Sequence, residues 1–431
     1  MKNQKSIVLA SLLMGGTALA PAAWAQDAGA QAEAVKAVYE RQRPDYDAPG
    51  VRTGSFLFYP TATVEGSYNS NIYAQESNVT DDFIVKVKPS FNLVSDWNNS
   101  FFSVNAKADI GRYLDNGGED YEDYSLGMNG RKDISRGMDV HSNLSYAHGH
   151  EDRGAPDSVG SAAEQTKFNV LTAGLGFKRD VSVVSLGVDG EYLKRDFEDS
   201  ARFGGGAPIN NDDRDRERFK GIARVGYELA SGYEAFVRMT ADRVKYDDSK
   251  EDGGPNRNSD GYEVVGGASF DFSGKSKGEF FAGYMKRSFD SDTLGSIDGI
   301  NFGANLLWNI TGLTSFRGAV KRSIEETTVQ ALDETGTLTY ASGVVTTLMS
   351  ARVEHELRRN LLLNGDVSYT MQSFSRTERD DDIWAAKLGV KYLLNRNFNV
   401  NAGYNYDYRD TTAQGQDYQR HTFRVGVTGQ W

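Results

Sequence analysis

The sequence predicts an all-β chain: a closed antiparallel transmembrane β-barrel of about 18 strands (16 is the alternative count), with short periplasmic turns and long external loops. Three observations predict it. Segments with period-two alternation recur from Phe58 to the carboxyl end. The connections between them fall into a short and a long class that alternate along most of the chain. Finally, residues 418–431 keep the alternation to the last position: Phe423, Val425, Val427, Gly429 and Trp431 share one side, and Thr422, Arg424, Gly426, Thr428 and Gln430 the other.

An apolar terminal strand with a free edge invites aggregation. A closed barrel removes that edge by pairing its last strand with its first. Phe423, Val425, Val427 and Trp431 are therefore the candidate barrel-closing strand, and a terminal strand of this kind resembles the closing strand of bacterial outer-membrane barrels. The 431 residues are 39% hydrophobic, with net charge −12, 46 Gly, 8 Pro and no Cys. A mean hydropathy of −0.54 suits a water-filled barrel, where only every second strand residue meets lipid. Without cysteine there is no disulfide framework.

Taken in order, residues 1–25 read as a cleaved secretory signal peptide. Lys2 and Lys5 are its basic start, Ile7 and Met14 bound an apolar core, and Ala23-Trp24-Ala25 is the cleavage region. The core is too short for an anchor helix. Loss of Lys2 and Lys5 takes the net charge from −12 to about −14, which argues against a nucleic-acid partner. Residues 26–54 form a periplasmic or lumen-tucked segment, with a disordered leader as the alternative. An Ala-rich helix is expected over 30–39, then extended chain over Arg43-Pro44-Asp45-Tyr46-Asp47. The outer-membrane β-barrel occupies 55–431.

Strands are expected to begin near residues 57, 82, 101, 123, 138, 165, 181, 216, 233, 259, 279, 299, 313, 343, 361, 383, 397 and 419. Each should run the 9–11 residues that a tilted membrane strand needs, or slightly more. Tight turns are expected at 96–99, 135–137, Arg179-Asp180, Ser231-Gly232, Thr311-Gly312 and Asn395-Arg396, and long loops over 115–122, 151–164, 199–215, 248–257 and 327–342.

Aromatic residues at the ends of the outward face, including Trp308, Tyr404, Tyr406 and Tyr408, are girdle candidates. The inward face holds the candidate lumen-lining cations Lys86, Lys88, Lys107, Arg131, Arg224, Arg238, Arg317, Arg352, Lys387 and Arg424. Beside them lie carboxylates such as Glu65, Asp109, Glu191, Glu234, Glu354, Asp366 and Asp407. The two signs nearly balance, so this inventory predicts a hydrated lumen but no ion preference. The acidic excess falls at Asp212, Asp213, Asp215, Asp247, Asp248 and Asp380-Asp381-Asp382, read as solvated loop acids rather than divalent-cation sites.

Enzyme chemistry finds little support. His148-Gly149-His150 lacks a third ligand of matching spacing, Ser145 and His141 share a face only as any even spacing would, and no phosphate loop or dinucleotide fingerprint occurs. No catalytic, cofactor or metal site is expected.

At Arg43-Pro44-Asp45-Tyr46-Asp47, Gly50-Val51-Arg52, Gly54-Ser55-Phe56, Pro60 and Tyr68-Asn69-Ser70-Asn71-Ile72 the sequence resembles the second putative β-barrel porin family. The motifs cover roughly residues 43–72; the rest agrees only as repeated barrel strands. The resemblance implies a barrel in the outer membrane of a Gram-negative bacterium, in contact with outer-membrane lipid. It further implies passage of a secreted exopolysaccharide and cooperation with periplasmic polysaccharide-export proteins. The alternatives are a structural or adhesive barrel that binds partners through acidic external loops and, more remotely, a barrel hydrolase.

Overall fold

The computed structural model describes residues 35–247, 254–272, 275–332 and 338–431. The expected signal peptide lies outside them. Eighteen barrel strands follow in chain order: β1 (Phe56–Asn69), β2 (Asp82–Ser95), β3 (Ser100–Tyr113), β4 (Tyr121–Ser135), β5 (Met138–His150), β6 (Lys167–Val181), β7 (Val184–Phe197), β8 (Arg216–Ala230), β9 (Tyr233–Tyr246), β10 (Ser259–Phe272), β11 (Ser276–Phe289), β12 (Ser296–Thr311), β13 (Thr314–Glu325), β14 (Val344–Arg358), β15 (Leu361–Phe374), β16 (Asp380–Leu393), β17 (Phe398–Thr411) and β18 (Tyr418–Gln430). Each pairs antiparallel with its sequence neighbours. β18 then pairs with β1, from Thr61↔Gln430 to Asn69↔Thr422, so the sheet closes.

Short turns join the strands at one end and longer connections at the other, which puts the start of β1 and the end of β18 on the short-turn side. The strand starts lie within three residues of those expected. Their lengths do not: they run 12–16 residues, more than the membrane requires, and the excess builds the wall of the long-loop end. The turn expected at Arg179-Asp180 lies inside a strand, because Asp180 pairs with Ser185 and Val181 with Val184. Ser182, at φ 55°, makes the turn instead. At Ser231-Gly232 the expected turn is present. Gly232 has φ +81°, and a Cβ there would lie 2.5 Å from the Asp271 carbonyl oxygen, so only glycine fits.

Alternation sorts the side chains as a lipid-facing barrel requires. Val64, Val188, Val225, Ile300, Leu388 and Val425 are exposed outward. Toward the long-loop end the outward residues become aromatic, with Tyr124, Tyr146, Tyr262, Tyr284, Trp384 and Tyr408; toward the short turns stand Tyr227, Tyr233, Trp308, Tyr392, Phe398 and Trp431. These two girdles bracket an aliphatic band, as ring systems at two membrane–water boundaries do.

Candidate permeation path

Residues 35–47 follow the inside of the wall at the short-turn end, and Val51–Thr53 then pair with Phe56–Phe58 at the start of β1. The helix expected over 30–39 is reduced, within the described residues, to one 3-10 turn at Val38–Glu40. Val35 and Ala37 pack on the inward Leu307. The Val38 amide donates to Ser315 Oγ at 2.9 Å, and the Tyr39 amide donates to Glu354 Oε2 at 2.9 Å. Burial pushes the Tyr39 hydroxyl up to about 12, and as a neutral phenol it donates to Asn364 Oδ1 at 3.0 Å. Arg43, almost wholly buried, pairs with Glu356 at 2.8 Å.

The stretch expected to be extended, Arg43 to Asp47, instead turns. The Tyr46 and Asp47 amides both donate to the Arg43 carbonyl, at 2.8 and 2.7 Å, and Asp47 Oδ2 accepts from the Arg43 amide. Proline at the second position fits that turn, since its fixed φ is the value required there. The turn then meets the far wall: Arg396 donates to the Pro44 carbonyl and Gln430 to the Tyr46 carbonyl, each at 2.9 Å.

In the middle of the barrel the ten sequence-chosen cations all stand on the inward side, opposite the exposed aliphatics, but they do not form one cluster. Lys88 bridges Glu65 at 2.8 Å and Asp109 at 3.6 Å. Arg131 pairs with Asp133 at 2.8 Å. Arg224 reaches Glu234 at 2.7 Å and Glu279 at 3.5 Å, and Arg238 shares Glu279 at 3.3 Å. Their guanidiniums lie over the inward rings of Phe236 and Phe281. Arg317 holds Glu40 of the tucked segment at 2.7 Å, and Arg352 holds Glu354 at 2.9 Å and Asp366 at 3.3 Å. Lys86, Lys107, Lys387 and Arg424 have no carboxylate within 4.0 Å among the described residues. Trp431 continues the closing strand, its amide donating to the Pro60 carbonyl at 3.2 Å, with Phe423, Val425 and Val427 outward above it.

At the long-loop end the connection 151–166, between β5 and β6, crosses the mouth to the opposite wall. At its root Glu151 pairs with Arg214, and Arg153 with Glu119, both buried. Beyond the root Asp152 pairs with Arg420 at 3.1 Å. Burial opposes the Asp152 charge, but the Arg420 guanidinium and the Gly154 amide together hold the carboxyl below its ordinary range. The Gly154 carbonyl accepts from Arg409 at 2.8 Å and the Pro156 carbonyl from Arg379 at 3.4 Å. Asp157 accepts from Thr327 Oγ1 at 2.7 Å and from the Thr328 amide at 3.0 Å, on the loop between β13 and β14.

Asp381 fixes the far anchorage. It accepts from Nε and Nη2 of Arg379, each at 3.0 Å, from Arg409 at 2.6 Å, and from Thr411. The sequence reading of this acid as a solvated loop residue is overturned: its side chain is 0% exposed, because it neutralises two arginines that grip backbone carbonyls of the crossing loop. Alternation extended from Lys387 sets Asp381 on the inward side, apart from its exposed neighbours Asp380 and Asp382, but pairing with Arg409 depends on strand register.

The histidines diverge. His148 stacks on Tyr124, while His150 bonds Asp123 at 2.8 Å, so they do not converge on one point. His141 is held by Asp139 and Asp189 rather than by Ser145. Among the described residues no group of three or more His, Asp or Glu side chains could hold a metal ion.

Solved structures with similar overall shape include the copper transporter OprC, at TM-score 0.49 and 11% identity, covering 89% of this chain and 81% of that one. Pseudomonas aeruginosa OpdO gives 0.43 and 12%, covering 88% and 97%, and the siderophore receptor PiuA from Acinetobacter baumannii 0.46 and 10%, covering 89% and 82%. No curated protein matches the sequence. Residues 43–431 match the family described as putative beta-barrel porin 2, from the buried Arg43 of the tucked segment through the closing strand, and the chain belongs to that family.

Proposed function

We propose that the protein is a passive conduit in the outer membrane of a Gram-negative bacterium, passing a secreted exopolysaccharide delivered by a periplasmic export apparatus. One observation carries the reading. The barrel presents an aliphatic band between aromatic girdles to its surroundings, while the inside of the same strands is lined by charged and polar side chains. Charges that hydrocarbon would penalise are tolerated where they face water or a counter-charge, and barrels of 16–18 strands enclose an aqueous channel. Exopolysaccharide as cargo is supported by the resemblance over residues 43–72, and a hydroxyl-rich polymer suits an inner wall bearing Asn401, Asn405, Thr63, Thr422 and Thr428.

Residues 26–54 serve as the docking element for the periplasmic partner. Residues 35–47 lie at the short-turn end, and their hydrogen bonds to Asn309, Ser315, Asn364 and Gln430 are of a kind that a competing protein surface can replace. The decisive experiment is conductance in planar bilayers for the whole chain and for a deletion of residues 35–47. The deletion is expected to raise single-channel conductance. If neither form conducts, the conduit reading is wrong.

A further inference from the structure

Building on the conduit reading, we propose that the cargo is anionic, and that the inner wall from β16 through β18 and β1 to β3 is a track for a carboxylate-bearing saccharide. The inward charges balance when counted along the sequence, but not in space. On the wall from β7 to β15 Lys220 is taken by Glu191, Arg224 by Glu234, Arg238 by Glu279, and Arg352 by Glu354 and Asp366, which leaves Lys277 and Lys321 there without a carboxylate within 4.0 Å among the described residues. On the other wall Lys86, Lys88, Lys107, Lys387 and Arg424 occupy the middle of their strands, below the cluster around Asp381. Glu65 and Asp109 accompany them there, Lys88 engaging both, and Asp366 of β15, already held by Arg352, stands opposite Lys387 in register. Asp407, the next carboxylate up, is engaged by Arg420.

Register brings these cations close to one another. Lys86 stands opposite Glu65 on β1, and Arg424 stands opposite the neighbouring inward residue of β1, Ser67. Like charges so placed raise the local potential, and a low-dielectric wall around a narrow lumen focuses it toward the lumen. Lys387, Asn405 and Thr422 lie in one register row across β16, β17 and β18. Asn405 Oδ1 is buried there without a hydrogen-bond partner. An unpartnered buried acceptor beside an unpaired cation matches a sugar that offers a hydroxyl donor and a carboxylate together.

The test uses the full chain and oligogalacturonate as the anionic probe, with maltooligosaccharide of equal length as the neutral one. In detergent, calorimetry is expected to show oligogalacturonate binding at least about tenfold tighter than the neutral probe, weakening as salt is raised. In bilayers with a KCl gradient the reversal potential is expected to report anion preference. The double substitution Lys86→Gln/Arg424→Gln should lose about tenfold in probe binding and move that potential toward zero. Lys107→Gln/Lys387→Gln is the second pair, should the first fail to fold by heat-modifiable gel migration. Equal binding of the two probes, cation-preferring current, or unchanged binding in a folded double variant would overturn the proposal. A barrel that binds oligogalacturonate selectively but never conducts sinks the conduit reading alone.

Discussion

Asp381→Asn should detach the far end of loop 151–166 while leaving the barrel intact. The carboxylate is 0% exposed and serves two guanidiniums, Arg379 and Arg409, that are 7% and 3% exposed. Removing one partner of a buried ion pair costs about 3–5 kcal/mol, because the other charge stays buried and uncompensated. The barrel does not have to bear that cost. Arg379 and Arg409 regain water if loop 151–166 lifts away, and what is given up is their bonds to the Pro156 and Gly154 carbonyls. At about 1.4 kcal/mol per tenfold, the detached population should rise roughly 10²- to 10³-fold. Two assays read it: protease cleavage within 151–166 on the folded, membrane-embedded protein, and the mean and noise of single-channel current. Unchanged protease resistance together with unchanged current, in a variant that still shows heat-modifiable migration, would refute the idea that Asp381 holds the loop.

Three further outcomes follow from the same geometry. Val425, 60% exposed on the outward face, should destabilise insertion by about 2–4 kcal/mol when replaced by Arg near the midplane, whereas Arg424→Gln, one residue away and inward, should cost little; folding titrations into lipid vesicles compare them, and equal costs would mean the faces are reversed. Gly154→Ala should loosen the crossing loop, because its Cβ would lie 2.6 Å from the Tyr418 hydroxyl oxygen and a clash of this kind costs about 1–3 kcal/mol; hydrogen exchange over 151–166 should quicken. Burial raises the Asp215 carboxyl from 3.8 to about 6, so its folded pKa exceeds the unfolded one and its charge is a penalty above pH 6 that vanishes as pH falls toward 4. Protection over 198–215, taken relative to the intrinsic exchange rate at each pH, should therefore rise between pH 7 and pH 5, and Asp215→Asn should abolish that rise.

The barrel was legible because its information is local. A period of two, a turn signal and a terminal aromatic are each contained in a short window, and eighteen such windows reinforce one another. Strand faces were legible for the same reason, as with Lys86 and Arg424. What stayed hidden depends on chain segments far apart. Nothing near Glu151 announces that this connection crosses to Arg409 and Thr327, and the parity that turns Asp381 inward does not say what meets it until register sets it beside β17. Lumen charge was misleading as a sum, since pairing decides which cations count. The residues that carry the family resemblance gain a physical meaning here. Asn71, fully buried, donates to the Gln75 and Gln419 carbonyls at 2.8 and 3.1 Å, and Ser70 exchanges bonds with His421. They tie the end of the first strand to the last, while at the other end Pro44 and Tyr46 fasten the inner segment to Arg396 and Gln430.

The two obstructions in the lumen are fastened differently, and this decides which end should yield. Loop 151–166 is tied by buried pairs at Glu151–Arg214, Glu119–Arg153 and, through Arg409, at Asp381. Residues 35–47 have one comparable tie, Arg43–Glu356; the Arg317–Glu40 pair is 37% and 25% exposed, and exposed pairs contribute about 0–1 kcal/mol. Displacing the segment breaks the buried Arg43–Glu356 pair, whereas lifting the loop breaks two buried pairs at its root and the Arg409 bond to the Gly154 carbonyl. Arg43→Ala removes that tie and leaves Glu356 beneath the segment without its counter-charge. It should free residues 35–47 to rapid exchange and raise conductance nearly as far as deleting them, while protease access to 151–166 stays unchanged. Were Arg43→Ala to leave both exchange and conductance as they are, the segment would have to be held by its hydrogen bonds and the Leu307 contact, and the inner end would no longer be the one that opens first.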